Sequence, residues 1–136
     1  MEQGALVLDF PARDQAERIR REVASILREH VGAHRALPRE KIATHVKARL
    51  GLNQMTRETV LRRVRECRHP LVAEGMRIVS GRKGWYLAET AEEVCEGSRL
   101  LRRNALDALR EAAHFDRVTV ADYLRLLGQG ILEGVE

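Results

Sequence analysis

The chain has 136 residues, 44% of them hydrophobic and 32% charged, with 24 Lys and Arg against 20 Asp and Glu for a formal charge of +4. That length holds one domain, or one domain with a helical appendage, and buries a core without disulfide staples. No apolar run approaches the roughly 20 residues of a membrane span, the first residues lack the basic lead of a secretory signal, and Cys67 and Cys95 make no Cys-x-x-Cys pair, so a reducing cytoplasm is expected.

Residues 5–10 read as a short strand or a tail, ended by Pro11. Asp14 is the expected N-cap of a first helix of about 17 residues, in which Ile19, Val23, Ile26 and Leu27 form one apolar stripe, and Gly32 is expected to close it. A second helix is predicted from Arg39 to Leu50, entered through Pro38 and buried along Ile42, Ala43, Val46 and Leu50. Gly51-Leu52-Asn53 supplies a turn. Thr56 caps a third helix, predicted to run to about Arg68 with Pro70 stopping it. At about 100° per residue, Val60, Val64 and Cys67 face the core while Glu58, Thr59, Arg62, Arg65 and Glu66 face outward.

Met76–Ser80 and Trp85–Ala88 are β-prone runs joined by Gly-Arg-Lys-Gly, a hairpin signal with two cations at its tip. Thr90-Ala-Glu-Glu is a capping box opening a long helix to about His114. A second box at Thr119 opens a short helix expected to bury Val120, Tyr123, Leu124 and Leu127 and to end at Gly128. The predicted class is mainly α with a small β-hairpin.

The modest net charge hides a partition. Between Arg35 and Gly84 thirteen Lys and Arg face four Glu, 13 − 4 = +9, so the flanks together carry 4 − 9 = −5. Such segregation is read either as a solvated Arg-rich face or as a surface turned towards an anion such as a nucleic-acid backbone. The order of elements favours the second. Glu40-Lys-Ile-Ala-Thr-His-Val, the turn at Gly51-Leu52, Thr56-Arg-Glu-Thr-Val-Leu-Arg-Arg-Val-Arg and the hairpin Ile78-Val-Ser-Gly-Arg-Lys-Gly-Trp-Tyr-Leu-Ala together resemble a winged helix-turn-helix domain, and the Gly-Trp-Tyr-Leu-Ala segment resembles that of small bacterial and phage-encoded winged-helix proteins. The five residues from Gly51 to Met55 depart from the tightest turn of that family. On this resemblance residues 1–13 are a tail or strand, 14–90 the winged helix-turn-helix domain and 91–136 a C-terminal helical dimerisation segment.

The resemblance implies a third helix in the major groove of duplex DNA and a wing on the backbone or in the adjacent minor groove. Arg bonds bidentately to guanine O6 and N7, so Arg62 and Arg65 are the expected base readers, with Thr59 on a thymine methyl or a base edge. Arg57 and Arg63 flank that face and are assigned to phosphates, as are Arg39, Lys41 and Lys47 of the second helix and Arg82 and Lys83 of the wing. Glu58 and Glu66 are expected to pair with Arg62 along the helix.

Other chemistries are weighed and set aside. The pairs His30 and His34, and Cys67 and His69, belong to no four-ligand spacing; Cys67 sits on an apolar face; and no phosphate loop or Ser/His/Asp pattern occurs, so neither a metal, a cofactor nor catalysis is expected. In the long helix Val94, Ser98, Leu101, Ala105, Ala108 and Ala112 recur every three or four residues. With Leu109, Tyr123, Leu124 and Leu127 they make a seam for a homodimer, the alternative being a helical hairpin folded back on the first helix. The sequence thus points to a duplex DNA-binding protein, a transcriptional regulator or a replication or recombination accessory factor. The competing class is a winged-helix module that binds host polymerase or replication machinery.

Overall fold

The apolar stripe of the first helix is realised as α1, Ala12–Arg28, in a computed structural model that describes residues 12–134. The expected strand at 5–10 lies outside the described residues. Ile19, Val23, Ile26 and Leu27 are all buried. Asp14 does not cap α1. It lies in the first turn, where its carboxylate meets the positive end of the helix dipole.

Gly32 does not close α1 either. The chain leaves the helix after Arg28 to pair with the hairpin: the Gly32 N–H donates to the Leu87 carbonyl at 2.8 Å, and the Leu87 N–H to the His30 carbonyl at 3.0 Å. After a 3-10 turn at Ala33–Arg35, Leu37 and Trp85 exchange two backbone bonds, at 2.8 and 2.9 Å. Residues 30–37 thereby cover an edge that would otherwise expose a row of unpaired backbone groups.

The second helix, α2, spans Arg39–Leu50 as predicted, with Ile42, Ala43 and Val46 buried and Gly51 ending it in the left-handed conformation (φ 64°, ψ 37°). The third, α3, spans Arg57–Ala73; the Thr56 hydroxyl accepts from the Thr59 N–H at 3.1 Å. Pro70 does not stop α3. It deprives the Glu66 carbonyl of its usual donor, yet Leu71 one residue on is buried in the core, and that packing carries the helix a further turn. α1, α2 and α3 enclose one core with Val60, Val64, Cys67 and Leu71 on the α3 side.

β1, Ile78–Gly81, and β2, Gly84–Leu87, pair antiparallel with Val79 opposite Tyr86 and Gly81 opposite Gly84, so Arg82 and Lys83 form a two-residue tip. Both faces of this hairpin are covered. Ile78 and Trp85 join the helical core, while Val79 and Tyr86, buried on the opposite face, lie under the first turns of the next helix, where a Cβ at Gly97 would stand 3.0 Å from a Val79 methyl.

That helix, α4, spans Ala91–Phe115, and α5 spans Val120–Gly134. The chain forms two compact units, divided inside α4 between Gly97 and Ser98. In the second unit, Arg117 turns the chain with φ 57°, Val118 donates to the Ala113 carbonyl at 3.0 Å, and the Thr119 hydroxyl caps Asp122 at 3.1 Å. α5 continues through Gly128, because a glycine inside a helix costs about 1 kcal/mol relative to alanine without breaking it. The expected burial of Leu124 and Leu127 does not occur: they are 47% and 39% exposed, while Val120 and Tyr123 are half-buried. Ala112, Phe115 and Tyr123 line a shallow pocket beside the turn that connects α4 and α5.

Candidate nucleic-acid interface

The core-facing row of α3 fixes what its other side presents. Burial of Val60, Val64, Cys67 and Leu71 leaves Glu58, Arg62, Arg65, Glu66 and His69 exposed. The expected pairing of Glu58 and Glu66 with Arg62 is corrected by the geometry. Glu66 binds Arg63 Nη1 at 3.3 Å, three residues back instead of four, and Glu58 has no cation partner among the described residues. Arg62 and Arg65 have no carboxylate partner among the described residues. Arg63, assigned to phosphate from sequence, is half-buried and tied to Glu66. Thr59 lies at the N-terminal end of α3, half-buried, with its hydroxyl 2.8 Å from that of the cap Thr56, so the methyl group is the part left for an apolar contact.

On α2, Lys41 is exposed and Arg39 and Lys47 are half-buried, none with an ion-pair partner among the described residues. Arg49 is different: Glu22 of α1 and Glu29 just beyond its end hold it at 3.0 and 3.5 Å, a structural tie between α2 and α1. The hairpin tip sits where a single close approach puts it. Gly84, at φ 127°, lies so near the backbone that a Cβ there would be 2.3 Å from the Leu37 carbonyl carbon and 2.5 Å from the Pro38 nitrogen. Exposed Arg82 and Lys83 precede that contact and Arg39 follows it, so the tip and the start of α2 make one basic cluster.

Across residues 35–84 the pattern is consistent. Arg57, Arg62, Arg65, Arg77, Arg82, Lys83 and Lys41 are exposed and carry no ion pair among the described residues. Elsewhere several cations are neutralised in place: Arg20 and Arg21 by Glu17, Arg110 by Asp107, Arg125 by Asp122. The polar cleft of about 460 Å³ between α1 and the end of α3 holds Arg20 and Arg21 this way, Arg20 reaching Glu74 at 3.8 Å as well as Glu17. Sequence reasoning passed over Arg77, at the foot of β1, and His69. Helical spacing carried the signal for His69, four residues beyond Arg65 and seven beyond Arg62.

Two further groups hold this surface in place. Glu93 closes the expected capping box, its N–H donating to the Thr90 hydroxyl, and its carboxylate also accepts from the Glu89 N–H at 2.7 Å and the Ala33 N–H at 3.0 Å. These bonds, with the charge of His34 adding, hold its carboxyl below the ordinary carboxylate range, and they clamp the start of α4 to the 3-10 turn. Burial pushes the Cys67 thiol up to about 11, and its Sγ donates to the Arg63 carbonyl, as suits an inert core thiol. Burial, with the Glu93 and Glu96 carboxylates behind it, also raises Tyr86. Trp85 and Tyr86 are thus core residues, and neither offers a stacking face to a base.

Among the described residues no group of three or more His, Cys, Asp or Glu is arranged to hold a metal, and no helix is long and apolar enough to cross a membrane. No family model, curated protein or solved structure matches the chain.

Proposed function

We propose that this chain is a winged helix-turn-helix protein that binds double-stranded DNA, acting in the cytoplasm as a transcriptional regulator or as a replication or recombination accessory factor. α3 enters the major groove, where Arg62 and Arg65 read guanine edges and Thr59 offers its methyl group. Arg39, Lys41, Lys47, Arg57, Arg82 and Lys83 contact phosphates and set the register without reading sequence. Arg63 acts on phosphate only by leaving Glu66, so it ranks below the others.

The observation that carries this reading is the set of cations on α2, α3 and the hairpin tip that have no ion pair among the described residues. Holding like charges together without counter-charges costs folding energy, and a polyanion offsets that cost on binding. Titration of duplex binding against salt tests it: neutralising about five to eight phosphates gives a log–log slope of roughly −5 to −7. Absence of duplex binding below about 200 mM salt would overturn the DNA reading and favour a protein-binding role for the same face.

A further inference from the structure

We infer, on the DNA-binding reading above, that His69 is a further phosphate contact of the same face and a titratable one, so that the affinity of the chain for duplex DNA falls as pH rises through neutrality.

Helix geometry places His69 in the middle of the outward row of α3. At about 100° per residue it stands about 180° from the fully buried Val60, with Arg62 at about 200° and Arg65 at about 140°. All three side chains are exposed. His69 keeps this alignment because α3 continues past Pro70 to Ala73, held by buried Leu71, so the imidazole stands on a helical turn and not on a departing loop.

The spacing fits the wall of a groove. Along the axis His69 is about 6 Å from Arg65 and about 10 Å from Arg62. The major groove is about 12 Å wide, so a helix that sets Arg62 and Arg65 against base edges carries its next outward residue towards the phosphates of one strand. There the anion stands nearer the helix than the bases do, and an imidazole, shorter than an arginine side chain, suffices. The ring donates an N–H to a phosphate oxygen in either state and adds a full charge when protonated.

Nothing in the protein competes for that ring. His69 has no hydrogen bond or ion pair among the described residues. Of the carboxylates towards this end of α3, Glu66 is taken by Arg63 at 3.3 Å and Glu74, just past the helix, by Arg20 of α1 at 3.8 Å. The other charged groups on this side are Arg62, Arg65 and, at the foot of β1, Arg77, while α2 makes no ion pair with α3 among the described residues. An approaching phosphate is thus the anion that favours the charged ring, and binding takes up a proton. Imidazole is the side chain whose charge changes between about pH 5 and 8. Since the complex holds the proton more tightly than the free chain, the gain is present at acid pH and lost as pH rises.

Anisotropy of a labelled duplex titrated with the full chain at fixed ionic strength, from about pH 5.5 to about pH 8, tests this; a phosphate contact does not read sequence, so an arbitrary duplex serves. Kd is expected to be about tenfold lower at the acid end, the equivalent of one pH unit of altered proton affinity, and the log–log salt slope there steeper by about 0.9. His69→Gln keeps the affinity at pH 8 and loses the acid gain. His69→Lys binds at pH 8 as tightly as the wild type does at pH 5.5. His45→Gln, at an exposed histidine of α2, keeps the wild-type profile. A wild-type affinity independent of pH, an acid gain that survives in His69→Gln, or one lost in His45→Gln overturns the inference and leaves the DNA reading standing. Absence of duplex binding at every pH overturns both.

Discussion

Gly84→Ala puts a methyl group where the Leu37–Pro38 backbone already sits. The added Cβ would lie 2.3 Å from the Leu37 carbonyl carbon and 2.4 Å from its oxygen, and neither belongs to a side chain that can swing away. A residue with a Cβ at φ 127° is also strained by about 1–3 kcal/mol, and displacing packed backbone adds about 1–3 kcal/mol. The sum, about 2–6 kcal/mol, is a large part of the roughly 5–15 kcal/mol that stabilises a domain. Gly81→Ala, three residues away across the tip, is the internal control. Its Cβ would meet a Tyr86 ring carbon at 3.5 Å and the Gly84 carbonyl oxygen at 3.8 Å, ordinary contacts at an unstrained φ, so it costs less than about 1 kcal/mol. Urea unfolding followed by the fluorescence of Trp85, which exchanges both backbone bonds with Leu37, reads both variants at the affected joint. Equal stabilities for the two, or a cost below about 1.5 kcal/mol for Gly84→Ala, would show that the hairpin is not braced on the entry to α2.

Three other outcomes follow from the site. Arg62→Ala lowers discrimination between sequences by about 1–3 kcal/mol, whereas Lys83→Ala weakens all duplexes alike and reduces the salt slope by about 1; identical losses in both variants would refute the division between base and phosphate contacts. Because backbone donors depress the Glu93 carboxyl, the stability it contributes is fully present above the ordinary carboxylate range and lost as pH falls through the depressed value; a Glu93→Gln variant therefore shows a flatter stability curve on the acid side, and a superimposable curve would contradict the clamp. In a thiol-reagent assay near neutral pH the native chain titrates one fast thiol, exposed Cys95, with Cys67 reacting only on unfolding; two fast equivalents would contradict its burial.

Sequence alone determined the helices with a strong local period and a local stop. α2 has its predicted bounds because Pro38 and Gly51 act on their own backbone, and the inward row of α3 follows from spacing that any helix imposes. The charge partition was equally legible, being a count along the chain. Tertiary structure decided what depends on residues distant in sequence. Pro70 stays inside α3 because Leu71 is held by a core assembled from other helices, and Gly32 leaves α1 because the edge of β2, 55 residues on, has backbone groups to satisfy. Local pairing rules placed Glu66 on Arg62. Glu66 pairs instead with Arg63, an equally local partner three residues back, and Arg62 has no ion pair among the described residues. Helical periodicity marked the apolar rows of α4 and α5, yet Leu124 and Leu127 are exposed, because burial depends on what lies opposite a side chain as well as on the face it occupies.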